Sequence, residues 1–329
     1  GARVGYPFAG WNTQADGNGV NVAAGVSYTV TDDVTLFAQW SAVTYTLAYN
    51  VNSGSCAATS GSGPGDQTGI IDSVQTVAGI ASFVCMGYSF NGWNTAADGS
   101  GDSYAEDGSF VMPVNGDTLY AQWVANVYTL VYNANGGTGA PLPGQFTTGQ
   151  TATVSNTEPT RTGYTFTGWY STASGTGGTA YTAGEQFAMP VGGVTLYAQW
   201  TVNSYTVSYN ANGGSGAPAD ADFDYQATAT VSATAPTRAG YTFTGWNTLS
   251  SGGGSSYASS ATFLMPADNL TLYAIWSANT YSLTYNLNGA SGSAPAAQSA
   301  VTDADVTVTS SVPTRTGYTF LGWNTTADG

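Results

Sequence analysis

A seven-residue aromatic segment occurs five times in this chain of 329 residues. Residues 163–169 and 240–246 both read GYTFTGW, and near copies stand at residues 5–11, 87–93 and 317–323. Self-similarity at a fixed spacing is the signature of a repeat architecture. An array of modules therefore replaces the estimate of roughly two domains that the length alone suggests.

Two independent sequence markers have the same period. The tryptophans that end the heptads are spaced by 82, 76, 77 and 77 residues and are Trp11, Trp93, Trp169, Trp246 and Trp323. A second string, LYAQW or a close variant, recurs at steps of 83, 77 and 76 and ends at Trp40, Trp123, Trp200 and Trp276. The period is near 77 residues, and the longer second repeat carries additional residues around positions 60–72.

These markers predict three complete repeats between two partial ones. We expect residues 1–40 to be the C-terminal part of a repeat, 41–123, 124–200 and 201–276 to be complete repeats, and 277–329 to be the N-terminal part of another. The joints between repeats are four residues long and contain neither Gly nor Pro. Such short joints are not flexible coils, so the modules are predicted to form an elongated, stiff rod.

The local pattern predicts a β-rich fold, α+β at most. Each repeat opens with an alternating segment such as YTLVYN at Tyr128, continues with an Asn-Gly turn such as Asn135-Gly136, and closes with a second alternating segment. Period-two alternation of aromatic and β-branched residues indicates half-buried strands. At most one short helix per repeat fits, before Pro-Thr-Arg or around Ala183 to Met189. The glycine before each heptad tryptophan predicts a bulge or a close backbone approach.

The recurrence itself separates core residues from chemistry-bearing residues. Aromatic residues recur in every heptad, whereas carboxylates in the following loops do not: Asp98 and Asp102 have no acidic counterpart in STASGTGG or NTLSSGGG. A repeated active site would repeat its carboxylates. We therefore predict a structural core at Tyr88, Phe90, Trp93, Tyr164, Phe166, Trp169, Tyr241, Phe243 and Trp246. Stacking of sugars on these rings is the weaker alternative.

Composition excludes or disfavours several functions. The chain has 4 Lys plus Arg, 19 Asp plus Glu and no His, for a net charge of −15. Such a chain repels phosphate backbones, so no nucleic acid partner is expected. Without His and Lys the commonest catalytic bases are missing, and we predict that the protein is not an enzyme. No apolar run is long enough for a membrane-spanning helix.

Two further features of the sequence suggest a metal site and a disulfide. Asp98, Ser100 and Asp102 alternate oxygen ligands in a glycine-rich loop, which makes calcium the best cofactor hypothesis, although solvated surface acids explain the pattern without a metal. No other cofactor is expected. Cys56 and Cys85 are predicted to form a disulfide because the composition is typical of extracellular β-rich proteins. Two buried free thiols are the alternative.

The repeated markers resemble the Listeria–Bacteroides repeat family, also found as the B-repeat of internalin-type surface proteins. The signature runs from Pro159-Thr160-Arg161 to Trp169 and closes at residues 196–200, and similar segments cover essentially the whole chain. The resemblance implies small β-grasp-like modules in tandem on bacterial cell-surface or secreted proteins, and it implies no catalytic residue. In the second repeat Cys85 stands where Arg161 stands in the third, which suggests that this Arg braces the turn occupied by Cys56.

The leading functional prediction is an extracellular stalk or filament-forming segment, with neighbouring repeats as its partners. An adhesin segment that binds a glycan or protein receptor through its loops is the alternative. Self-association into fibres through strand edges is a third possibility.

Overall fold

The computed structural model describes residues 2–56 and 58–328. Within them the chain is built from 28 short β-strands, and the only helical segment is a 3₁₀ turn at Ser53–Ser55. The chain divides into two compact units, one of residues 1–135, 140–158 and 168–199 and the other of residues 136–139, 159–167 and 200–329. Small sheets follow one another along the chain in the order of the sequence repeats.

The first unit begins with one small and one complete sheet. The first repeat contributes a three-stranded antiparallel sheet, order β2-β1-β3, with β1 Phe8–Asn12, β2 Asn21–Val22 and β3 Phe37–Trp40. The second repeat forms a five-stranded sheet, order β10-β9-β12-β4-β6, and two ribbons, β11-β7 and β5-β8. Its strands are β4 Thr44–Asn50, β5 Thr59–Ser60, β6 Gln67–Ile70, β7 Val74–Thr76, β8 Val84–Cys85, β9 Tyr88–Asn94, β10 Ser103–Tyr104, β11 Ser109–Val111 and β12 Asp117–Ala125.

The third repeat has the same plan. Its five-stranded sheet has the order β14-β13-β19-β16-β17, and β15 pairs with β18 in a separate ribbon. Its strands are β13 Val127–Asn133, β14 Gly144–Thr147, β15 Thr151–Thr153, β16 Tyr164–Tyr170, β17 Ala180–Tyr181, β18 Gln186–Ala188 and β19 Val194–Val202.

The second unit contains the fourth repeat and the start of the fifth. The fourth repeat has a sheet of order β21-β20-β26-β23-β24 and a ribbon β22-β25, and β27 pairs with β28 in the fifth. The strands are β20 Ser204–Asn210, β21 Ala221–Asp224, β22 Thr228–Thr230, β23 Tyr241–Asn247, β24 Ser256–Tyr257, β25 Thr262–Leu264, β26 Leu270–Ala278, β27 Thr280–Leu283 and β28 Gln298–Val301.

A parallel pair at the centre of each complete sheet defines the β-grasp-like topology. The first strand of a repeat lies parallel to the last, as in β13 with β19 and β20 with β26, and the remaining neighbours are antiparallel. The stretch 183–189, one of the two places where the sequence admits a short helix, instead contains β18, which pairs with β15. A two-stranded ribbon, and not a helix, covers the core.

The core of each complete repeat is one compact apolar cluster. In the fourth repeat it comprises Val207, Ala229, Val231, Trp246, Met265, Leu272 and Ala274, with corresponding residues in the second. A bulge interrupts β23 between Phe243 and Gly245. The glycine before the tryptophan has a positive φ, 94° at Gly92, and a Cβ there would lie 2.8 Å from the Tyr104 carbonyl oxygen. The strand can therefore turn its tryptophan inward only with glycine at this position.

Candidate functional site

The heptad tryptophans of the complete repeats lie in the protein interior. Trp93, Trp169 and Trp246 are at most 1% exposed. The indole Nε1 of Trp93 donates to the Ala78 carbonyl oxygen at 2.8 Å, and its ring packs edge-on against Tyr49 at a centroid distance of 4.8 Å. These indoles therefore offer no face on which a sugar could stack.

The other predicted core aromatics are only half-buried: Tyr88, Phe90, Tyr164, Phe166, Tyr241 and Phe243. Phe90 and Phe243 each pack at the rim of the core between two tryptophans; Phe243, for example, lies 5.2 Å from Trp246 and 5.8 Å from Trp276. In the partial first repeat Trp11 is 39% exposed, because strands corresponding to β4 and β6 are not part of that sheet.

A buried asparagine organises the polar loop after the heptad. Asn94 is 1% exposed, and its amide nitrogen donates to the carbonyls of Gly99 and Gly101 and to the Ser103 hydroxyl at 2.9–3.2 Å. Its Oδ1 accepts from the backbone N–H groups of Ala96 and Gly101. Asn12 and Asn247 repeat this arrangement. Sequence reasoning missed this residue, although Asn follows the heptad tryptophan in four of the five copies.

The predicted calcium ligands lie on the surface of this loop. Asp98 accepts hydrogen bonds from the hydroxyl and the backbone N–H of Ser100 at 2.6 and 3.0 Å, and these bonds lower the pKa of its carboxyl group. The backbone N–H of Asp102 donates to the Thr95 hydroxyl. Over residues 2–56 and 58–328, no group of three or more His, Cys, Asp and Glu residues is arranged to hold a metal. The Asn94 amide gathers the loop carbonyls, and calcium remains a hypothesis.

The arginines and the disulfide occupy equivalent places. Arg161 and Arg238 lie over the rings of Tyr164 and Tyr241 at 3.8 Å. The Arg161 guanidinium also approaches Gly136 in the first turn of the repeat, as its carbon lies 3.4 Å from the position of an added Cβ. In the second repeat a disulfide joins Cys56 to Cys85 at a Cα–Cα distance of 5.1 Å. The geometry agrees with the hypothesis that Arg161 braces this turn.

A hydrogen-bonded clasp joins successive repeats at three joints. In the joint between β12 and β13, the Asn126 N–H donates to the Gly87 carbonyl at 2.8 Å, and the Asn126 carbonyl accepts from the Thr148 N–H at 2.9 Å. The Asn126 Oδ1 accepts from the Ser89 hydroxyl at 2.6 Å. Equivalent bonds centre on Asn203 and Asn279. We call this set of three bonds the asparagine clasp; it binds the heptad of one repeat to the first hairpin of the next.

The third repeat has an open groove on its surface. An open groove of about 490 Å³ in the third repeat is lined by residues that include Tyr132, Pro141, Leu142 and Phe146, and its lining contains no carboxylate. No helix in residues 2–56 and 58–328 is long and apolar enough to cross a membrane. The lining of the groove in the third repeat lacks the paired acids that a hydrolytic site requires.

Comparison with known proteins matches the repeats directly. The family model described as the Listeria-Bacteroides repeat domain matches residues 1–39, 45–122, 128–199, 205–275 and 281–329. A protein of Evansella cellulosilytica described as a Gly-rich membrane protein is 32% identical over 98% of this chain and 36% of its own length. Another protein of that organism, described as a membrane protein, is 30% identical over 90% of this chain and 41% of its own length.

A third relative comes from another genus. Internalin H of Listeria monocytogenes is 42% identical over 37% of this chain and 21% of its own length. The chain therefore spans less than half the length of each of these relatives.

Proposed function

Because the chain belongs to the Listeria-Bacteroides repeat family, we propose that it is a non-catalytic structural region of a bacterial surface protein, which holds another part of that protein away from the cell. The proposal places it outside the cell. The names of its relatives, two membrane proteins and an internalin, support this location.

One observation carries the proposal: the residues that recur between repeats are used for internal packing and for joining neighbours. Trp93, Trp169 and Trp246 are buried, and Asn126 and Asn203 bond adjacent repeats. In such an array, stability is the sum of the repeat cores and the interfaces between neighbours. A spacer needs these properties and needs no ligand.

The mechanical test is to stretch the full chain in a single-molecule force experiment. The third and fourth repeats should each unfold in a separate step of about 25 nm, and the disulfide-closed second repeat in a step of about 15 nm. The disulfide spans 29 residues of the second repeat, so reduction should lengthen one step by about 10 nm. One featureless extension at low force, without steps, would contradict a spacer that resists mechanical force.

The alternative is an adhesin segment that binds through the exposed loops. The observation in its favour is that Asp98, Ser100 and Asp102 present oxygen atoms on the surface of a loop whose sequence differs between repeats. On this alternative, calcium should raise the melting temperature, and the D98N/D102N variant should lose that response. The control is S251A at the equivalent loop position of the fourth repeat. Saturable binding to one glycan class, abolished by D98N/D102N, would replace the spacer proposal.

A further inference from the structure

The joint between the first and second repeats is built differently from the other three. In the later joints a single residue, Asn126, Asn203 or Asn279, separates the last strand of one repeat from the first strand of the next. In the first joint β3 ends at Trp40 and β4 begins at Thr44, so residues 41–43 lie outside both strands. The strands that flank the first joint are therefore separated by three residues, whereas those that flank each later joint are separated by one.

Each bond of the asparagine clasp is lost or lengthened at the first joint. Val43 occupies the place of the asparagine, and its N–H lies 3.5 Å from the Gly5 carbonyl, compared with 2.8–3.0 Å at the other joints. Valine has no side-chain acceptor, and Pro7 stands where Ser89, Thr165 and Thr242 donate a hydroxyl. Among the described residues, no hydrogen bond joins the Ile71 N–H to the Val43 carbonyl.

The contacts that remain at this joint include one backbone hydrogen bond and one apolar contact. Ser41 donates from its N–H to the Pro7 carbonyl at 3.0 Å. Ile71 packs on Gly5, since a Cβ on that glycine would lie 2.8 Å from the Ile71 Cγ2. An apolar contact tolerates rotation, because its energy depends on buried area and not on direction. A hydrogen bond weakens steeply when its angle changes.

We propose that residues 41–43 form a hinge, so that the first repeat reorients relative to the second, whereas the asparagine clasp at Asn126 holds the second repeat to the third. This inference concerns the joints alone and stands whether the chain acts as a spacer or as an adhesin. A hinge at residues 41–43 would let the first repeat take an orientation that is independent of the second repeat.

Amide hydrogen exchange on the unmodified full chain is the first test. The N–H groups of Asn126, Asn203 and Asn279 should be protected at least about tenfold more than that of Val43, because breaking the clasp requires opening several hydrogen bonds together. Equal protection factors at all four positions would overturn the proposal.

Inter-repeat distance distributions are the second test. Spin labels are placed through genetically encoded azide residues at matched loop positions, Asn18 with Ser100 across the first joint and Ser100 with Thr176 across the second. The distribution should be broad across the first joint and narrow across the second. Equal widths of the two distance distributions, in chains changed only at the label positions, would overturn the hinge proposal.

Substitutions that add the clasp at the first joint, or remove it at the second, test whether the clasp itself restricts the motion. The double variant P7T/V43N restores the donor and acceptor of the clasp and should narrow the first distribution to the width of the second. N126A should broaden the second distribution, whereas V127A, a change at an adjacent residue that is 58% exposed, should leave it unchanged. If P7T/V43N leaves the first distribution broad while N126A leaves the second narrow, the clasp does not control the motion.

Discussion

At the scale of single residues, one side-chain type serves opposite roles according to its surroundings. Trp246 is 1% exposed within a complete core, whereas Trp11 is 39% exposed in a partial repeat. Four of the chain's tyrosines lie under an arginine, while Tyr49 and Tyr132 turn inward. Their hydroxyls accept from the backbone N–H groups of Ala78 and Ser155. The same residue types therefore supply buried packing, surface bracing and backbone hydrogen bonding.

Trp246, which is buried, and Trp11, which is partly exposed, form a matched pair for mutagenesis. W246A should lower the free energy of unfolding of the fourth repeat by about 3–5 kcal/mol, because it leaves a large cavity in a close-packed core. W11A removes the same side chain from a partly exposed site and should have a much smaller effect. Denaturant unfolding followed by fluorescence measures both, and equal losses would contradict the assigned burial.

Two half-buried tyrosines predict an alkaline limit to stability. Burial raises the pKa of Tyr49 and of Tyr132 above the ordinary value of 10.0, although the hydrogen bonds that their hydroxyls accept act in the opposite direction. A group whose pKa is higher in the folded state stabilises the fold below its unfolded pKa and loses that contribution as the pH rises through the folded pKa. These two tyrosines should therefore contribute no pH dependence between pH 7 and 9 and should lower the unfolding free energy above about pH 10.

Substitution separates this effect from other titrations. The variant Y49F/Y132F lacks both ionisable hydroxyls, so its stability should decline less steeply above pH 10 than that of the parent. Y281F, at a tyrosine that is 58% exposed, is the control and should retain the parental slope. Parallel curves for all three proteins would show that burial of Tyr49 and Tyr132 is not the cause.

At the scale of elements, each repeat closes its first turn against the approach to the heptad, by one of two devices. The third and fourth repeats use Arg161 and Arg238, whereas the second uses the disulfide between Cys56 and Cys85. The disulfide constrains the unfolded chain. The arginine acts only in the folded state, through contact between its guanidinium and the tyrosine ring.

Replacing one device with the other tests this equivalence. C56G/C85R gives the second repeat the residues of the third, Gly139 and Arg161, and allows the new arginine to stack on Tyr88. The loss of a 29-residue closed loop should cost about 3.5 kcal/mol of stability, with about 0.5–1 kcal/mol recovered from the new contact. C56G/C85A is the matched control and should be less stable than C56G/C85R by the recovered amount, as measured by the midpoint of denaturant unfolding.

At the scale of the whole molecule, net charge opposes association of chains. The chain carries −15 at neutral pH and has an isoelectric point near 4.1. The outer edges of β6 and β14 bear no charged side chain, whereas β21 carries Asp222 and Asp224 on its exposed face. Uncharged edges invite pairing between chains, and like charge on the chains opposes it.

Association should therefore depend on pH and salt. Light scattering should stay at the monomer level at pH 7 in low salt and rise as the pH approaches 4.1, because the repulsion between chains disappears. Electron microscopy would distinguish ordered fibres from amorphous aggregate. Fibres that form equally well at pH 7 in low salt would instead indicate an association strong enough to overcome the repulsion, and would favour a filament-forming role.

Local patterns in the chain were enough to predict the repeat period, the strand-rich fold and the tryptophans that form each core. Alternation and the heptad act over a few residues, and packing of bulky rings follows directly from hydrophobicity. The positive φ of Asn135, 48°, likewise agrees with the turn expected from Asn-Gly.

Local sequence patterns could not predict which distant segments pair or form hydrogen bonds with each other. Nothing near Leu130 specifies that it pairs in parallel with Val194, and nothing in residues 186–188 specifies a ribbon in preference to a helix. The role of Asn126 depends on Gly87 and Thr148, which lie in two different repeats. These contacts form only when distant segments meet, because a hydrogen bond requires that donor and acceptor both have the correct position. Burial of an aromatic ring requires only that some apolar surface covers it, so the sequence alone can predict it.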